Sequence, residues 1–367
     1  MKYDDRYIIV DLDNLAYNCN NIINNYQYDN YMAILKGYGY GHGFGIVKTL
    51  KDNGFNYIGV SNIDEALQVR NESNDINILC LSLIPLDKLY LAYKYNIIIT
   101  ISSYDYALEC LKLNTKFRVH LKIDTGMNRL GFNNNLLLLN TYEIIRDKLI
   151  TEGLYSHCAN AGIFDNQYDK QLELFKSITL GLNYNDFKLI HIDRSITAIT
   201  HRNSISNCIR VGILLYGYNP IERIRRPRNI FRKHIDNYKA LKFELKPCFS
   251  FITSILEIKQ VKKGSAIGYG HYFKAKEDII IGIINAGYDD SLYFDIGYKV
   301  SINNKEYSII SVDMKLITIL IDDSVNINDD VYLINNNALA LATKLNITTY
   351  KLLTGINPTI KRFYVKK

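Results

Sequence analysis

Along residues 30 to 217, short runs of apolar, β-branched residues alternate with stretches whose apolar positions recur at helical spacing. The runs are MAILK, YIGVS, INILCLSL, NIIITIS, FRVHLKID, EGLYSHC, KLIHID and CIRVGIL. Between them, IVKTLKDNG, IDEALQVRNES, YDYALECLKLN and NNLLLLNTYEIIRDKL read as amphipathic helices with asparagine or glycine near their ends. Eight strand-like runs separated by helices form the pattern of a (β/α)8 TIM-type barrel. After Tyr216-Gly217 the rhythm changes. A basic, proline-containing stretch leads into FSFITSILEIKQV, DIIIGIINAG, YKVSINNKEYSIISV and DDVYLI, all strand-like, with helix expected only near ALALATKLN. The expected fold is α/β: residues 1–230 form an N-terminal barrel and residues 231–367 a mainly β C-terminal domain.

Composition narrows this picture without changing it. A chain of 367 residues exceeds what one core usually supports, and 48% hydrophobic with 22% charged residues excludes general disorder. The opening MKYDDRYIIVDLDNL carries neither an apolar signal core nor a cleavage site, and no apolar run is long enough to span a bilayer. A cytoplasmic protein without a membrane partner is the expectation. The six cysteines, Cys19, Cys80, Cys110, Cys158, Cys208 and Cys248, show no CxxC spacing, which suits reduced, buried thiols and predicts no metal site. The net charge of +7 is modest, and only Arg223-Ile-Arg-Arg-Pro-Arg-Asn-Ile-Phe-Arg-Lys-His concentrates it. That stretch reads as a solvated linker, with no nucleic-acid partner expected.

Two segments leave strands and enter glycine-bearing loops. The first is Lys36-Gly-Tyr-Gly-Tyr-Gly-His-Gly43, directly after MAIL. Active sites of such barrels lie at the carboxyl ends of the strands, and a desolvated lysine there has a lowered pKa and forms a Schiff base with an aldehyde. A structural or phosphate-binding loop has the same appearance. The second is His120-Leu-Lys-Ile-Asp-Thr-Gly-Met-Asn-Arg-Leu-Gly-Phe132, which crowds Lys122, Asp124 and Arg129 at one strand end. Arginine suits bidentate capture of a carboxylate or phenolate, and Lys122 inside a barrel needs a charge partner or a modification. The plainer alternative is a buried ion-pair network. His157 is open to two readings as well, a cofactor contact or a satisfied core histidine.

KGYGYGHG resembles the alanine racemase signature KANAYGHG, and DTGMNRLGF resembles DTGMGRLGF. GLYSHCANA, RVGILLYGYNP, IGYGHYF and NAGYDDS extend the likeness over roughly residues 8 to 365. The resemblance implies a fold-type III racemase dependent on pyridoxal 5′-phosphate, with Lys36 anchoring the cofactor. It further implies that Tyr40, Ser195, Gly212 and Ile213 hold the phosphate, that Arg210 donates to the pyridine nitrogen and that His157 lies against the ring. Arg129 would grip the phenolic oxygen and the substrate carboxylate, and Lys122 matches a lysine that is carbamylated in family members. Tyr269, within IGYG, corresponds to an acid/base group that opposes Lys36 and reaches the site from the second subunit. A homodimer interconverting L- and D-alanine by two bases, for cell-wall supply, is the implied function.

The chain departs from the pattern in several places. His191-Ile-Asp-Arg-Ser195 puts Arg194 where the family has asparagine, and LTGINPTIKRF lacks a tyrosine, with Asn357 or Pro358 standing about there. Serine racemases related to vancomycin resistance resemble this second departure, so serine or broad-specificity racemisation is the alternative. A non-catalytic carrier of pyridoxal phosphate is a further one, against which IGYG argues. The basic segment 221–244 is longer than the family's domain connection.

Overall fold

The computed structural model describes residues 6–159, 166–201, 205–220 and 241–366. They group into two units, one from Leu15–Gly39 and Phe44–Lys246, the other from Met1–Asn14, Tyr40–Gly43 and Pro247–Lys367. The first strand, β1 (Arg6–Asp11), belongs to the second of these.

The first unit is the barrel. Its strands are β2 (Asn30–Ile34), β3 (Tyr57–Val60), β4 (Asn77–Cys80), β5 (Ile97–Ile101), β6 (Arg118–Lys122), β7 (Ile150–Tyr155), β8 (Leu189–His191) and β9 (Cys208–Val211). Each runs parallel to its neighbours, and β2 pairs with both β3 and β9. Amide hydrogen bonds from Asn207 to Ile190 (3.0 Å) and from Arg210 to Asp193 (3.1 Å) join β9 to β8 and close the ring. The eight apolar runs read from the sequence are these eight strands. They are legible because a parallel strand covered on both faces stays apolar throughout; β3 and β5 are buried at every position.

Three of the outer helices start on side-chain caps. Asn62, Ser103 and Asn134 accept the amides of Glu65, Tyr106 and Leu137 at the starts of Ile63–Glu72, Tyr104–Lys112 and Asn135–Ile145. Each such cap stabilises its helix by about 1 kcal/mol.

The second unit is mainly antiparallel. It contains β10 (Phe249–Val261), the short hairpin β11 (Ala266–Ile267) and β12 (Phe273–Lys274), β13 (Ile279–Ile284), β14 (Lys299–Ile302), β15 (Lys305–Val312), β16 (Ile317–Ile321), β17 (Asp330–Asn335) and β18 (Arg362–Val365). The sheet order is β13-β16-β15-β14-β17-β10-β1-β18, and β10 also pairs with β13, so six strands pair in a ring. β1 lies antiparallel along β10 and parallel to β18. The Arg6 guanidinium reaches the fully buried Asp290 carboxylate at 2.8 Å and fastens β1 further.

A two-part chain cut once, at residue 230, leaves out this placement of β1: the pairing of Arg6–Val10 with Phe249–Thr253 carries the first residues into the C-terminal unit. The expected boundary itself, like most of the basic segment 221–244, lies outside the described residues. ALALATKLN contains the helix Ala338–Lys344, and a second helix, Thr349–Thr354, follows it. All six cysteines are buried and free. No described helix is long and apolar enough to cross a membrane.

Candidate active site

Lys36 stands two residues beyond the end of β2 and opens a turn of unusual hand. Gly37, Tyr38, Gly39 and Tyr40 all have positive φ, at 61°, 55°, 60° and 51°. This region favours glycine, so the two tyrosines are strained there, and such strain persists only where other contacts enforce it. The amides of Gly37 and Tyr38 donate to Glu65 Oε1 at 2.8 and 3.3 Å. Burial lowers the pKa of the Lys36 amine, Arg129 and Arg210 lower it further, and Glu65 opposes them.

Lys122 ends β6 and is buried, its Nζ lying 4.6 Å from the centroid of the Tyr155 ring. Burial first, then Arg210 and Arg129, pull its pKa down to about 7. Asp124, two residues on, is a loop organiser. Its Oδ1 accepts the amides of Gly126, Met127 and Asn128 at 2.9–3.1 Å, and its Oδ2 accepts that of Arg129 at 2.9 Å. Gly131, at φ 129°, closes this loop where a Cβ would stand 2.6 Å from the Asp124 nitrogen. The loop so formed presents Arg129 exposed to solvent.

Arg210, on β9, is buried and held on several sides. Its guanidinium donates to the carbonyls of His191, Ser156 and Ile192 and to His191 Nδ1, the last at 2.7 Å. His157 Nδ1 lies 3.4 Å from Nη2. Behind it, His191 Nε2 is 2.9 Å from His120 Nδ1. Burial pushes both rings far below the usual histidine pKa, His120 to about 3, so each is neutral. An obligate donor at one end therefore orients the whole row. His191 accepts from Arg210 at Nδ1 and carries its proton on Nε2, which donates to His120 Nδ1. His120 then presents Nε2–H toward Glu152 Oε1, 3.9 Å away, and Glu152 is itself paired with Arg118 at 2.9 Å. Tyr155 stacks on His191 at 4.7 Å, and Gly153 leaves room for the His120 ring, which a Cβ there would approach to 2.5 Å.

Ser195 begins the helix after β8, and its Oγ accepts the Gly212 amide at 3.0 Å, with Ile213 buried next in line. The departure at position 194 has a structural role: Arg194 Nε donates to the Cys158 carbonyl at 3.2 Å, tying the β8 loop to the end of β7.

The barrel thus gathers Lys36, Lys122, Arg129, His157, Ser195, Arg210, Gly212 and Ile213 at the carboxyl ends of β2, β6, β7, β8 and β9. Tyr40 and Tyr269 belong to the other unit. The Tyr40 ring lies 5.6 Å from that of Tyr350, and Tyr269 is 81% exposed on the turn Tyr269–His271.

Residues 10–220 match the model of the alanine racemase N-terminal domain and residues 248–364 that of its C-terminal domain. The chain belongs to the alanine racemase family. An alanine racemase of Borreliella burgdorferi is 32% identical over 98% of this chain and 97% of that protein. The crystal structure of alanine racemase from E. faecalis superposes with a TM-score of 0.87 at 26% identity, covering 98% of each chain. A histidine racemase from Leuconostoc mesenteroides has a TM-score of 0.86 over 100% of this chain and 99% of its own, but at 24% identity this shows the shared fold alone. Like its alanine racemase relatives, the chain is an enzyme of the pyridoxal-phosphate-dependent isomerase class.

Within this alanine racemase scaffold, sequence reading overlooked three groups. His120 and His191 interrupt FRVHLKID and KLIHID, and a polar ring inside an otherwise apolar barrel strand is the signal that marks them. Glu65 resembles an ordinary first-turn acid of a helix, and nothing in its spacing discloses the contact with the Lys36 turn.

Proposed function

We propose that this protein interconverts L- and D-alanine with pyridoxal 5′-phosphate anchored on Lys36, providing D-alanine for the cell wall. The supporting observation is an unbalanced cluster of cations. Arg129 and Arg210 lower the pKa of both Lys36 and Lys122, while the described carboxylates around them are committed to the fold. Asp124 holds its loop, Glu65 holds the Lys36 turn, and Asp193 accepts from Tyr28 at 2.9 Å and Tyr168 at 3.0 Å. Such a mouth suits a ligand carrying phosphate, phenolate and carboxylate charges.

Several residues fit the cofactor. The Ser195 hydroxyl and the Gly212–Ile213 backbone supply phosphate-binding groups. Arg210, always protonated and anchored through four donated hydrogen bonds, keeps a facing ring nitrogen unprotonated. His157, neutral through burial and the nearby arginines, adds a flat surface without adding charge. Bound pyridoxal phosphate supplies the electron sink that lets an α-proton leave. Lys36 Nζ, its pKa lowered, takes or returns that proton on one face, and Arg129 holds the substrate carboxylate.

Tyr269 serves the opposite face, contributed by a second copy in a homodimer. Its 81% exposure suits a group completed by another subunit, as do Tyr272 at 86% and Leu292 at 81% on the same unit. Alanine is favoured over serine because the Asn357 side chain is already engaged. It donates to Asp289 O at 3.0 Å and accepts the Thr359 amide at 3.0 Å and its hydroxyl at 2.8 Å. In deuterated water, α-proton exchange followed by NMR on alanine and serine separately should label alanine and yield its enantiomer. Faster exchange of serine would reverse the preference, and exchange of neither would remove the racemase reading.

The near-neutral pKa of Lys122 also suits carbamylation, in which its uncharged amine bonds carbon dioxide and releases a proton to solvent. The product is an anion beside Arg129 and Arg210, which relieves the burial of a fourth cation. Protein equilibrated with carbon-13 bicarbonate should show a carbamate resonance that the Lys122→Ala variant lacks. No such resonance in the native chain means the lysine stays unmodified.

A further inference from the structure

We propose that Glu65 is a positioning residue for the cofactor-anchoring lysine, its carboxylate clamping the left-handed turn that follows Lys36 to the start of the helix Ile63–Glu72, which follows β3. A glutamate three residues past an asparagine N-cap normally bends back to the cap's own amide. Here Asn62 does accept the Glu65 amide at 2.9 Å, but the carboxylate goes elsewhere. Oε2 takes the Ser61 amide at 2.8 Å and the Ser61 hydroxyl at 2.6 Å. Oε1 takes the amides of Gly37 and Tyr38 from the neighbouring strand's loop. One side chain thus binds four donors across the ends of β2 and β3.

Those two amides belong to consecutive residues in the αL region, and their convergence on one oxygen depends on that hand. Right-handed or extended backbone at Gly37 and Tyr38 would swing the amides apart, and Lys36, immediately before them, would turn with the chain. The clamp therefore offsets the strain at Tyr38. It also places an anion near the Lys36 amine, against the cations Arg129 and Arg210.

The inference rests on the proposed function in its cofactor and kinetic arms, and is independent of it in the exchange arm. In the full chain stripped of cofactor, Glu65→Gln and Glu65→Ala should speed amide exchange in peptides covering residues 36–44 by roughly tenfold or more, the effect of losing one or two hydrogen bonds. Addition of pyridoxal phosphate should still produce visible absorbance, with the pH midpoint of its formation moved downward because an anion that raises the Lys36 pKa is gone. Glu65→Asp, which keeps the charge but not the reach, should restore the midpoint and leave exchange fast. With alanine, kcat should fall about tenfold in Glu65→Gln while KM changes little. Unchanged exchange over 36–44 in both variants overturns the clamp, whether or not the protein racemises. Fast exchange with an unmoved midpoint and normal turnover overturns its role toward Lys36.

Discussion

The Lys36→Ala variant is expected to fold normally, gain no visible absorbance with pyridoxal phosphate and racemise alanine roughly 10⁴-fold or more slowly than the native chain. The size of the effect follows from a lost covalent anchor and a lost proton acceptor together. A rival amine makes the test sharp. Lys122 lies at the same end of the barrel, its pKa about 7, and would also bond an aldehyde if it could reach one. Lys122→Ala is therefore the control, and it should remain yellow. Colour retained in the Lys36 variant and lost in the Lys122 variant would move the anchor from β2 to β6.

Tyr269→Phe should keep its colour and lose nearly all turnover. Because the tyrosine would serve the other subunit, two inactive variants should then repair each other. In a mixed dimer of Lys36→Ala and Tyr269→Phe chains, one mouth lacks both groups and the other has both. Co-expression in equal amounts should therefore restore about a quarter of native specific activity, since half the dimers are mixed and half their sites are whole. If the mixture stays dead while the dimers exchange subunits, each chain uses its own tyrosine or none.

The barrel was legible because its strands are apolar on both sides and their β-branched residues stand apart from the polar helices between them. β1, β16 and β18 were not, for physical reasons. RYIIVD stands apart from the alternating strands and helices of residues 30 to 217, and its neighbours are strands almost 240 residues or more away, β10 and β18. ITILI and RFYV are too short to stand out in a region already rich in isoleucine and tyrosine. Lys36, Lys122 and Arg129 stood out at strand ends, and Ser195 and Arg210 came from motif likeness, whereas the row from Arg210 through His191 to His120 could not. Contacts between strands that are consecutive in space but tens of residues apart leave no spacing to read. Asp124 was visible as a charge beside Lys122 and Arg129, but its service to four loop amides emerges only from the backbone.

The lodging of β1 between β10 and β18 bears on how the chain matures during synthesis. Barrel residues are all made by Lys246, so that ring can close early, while YIIVD waits with open amides and carbonyls for a partner not yet translated. Its apolar edge is a hazard for adhesion to other nascent chains throughout that interval, and the hazard ends only when FSFIT and then RFYV emerge to cover it.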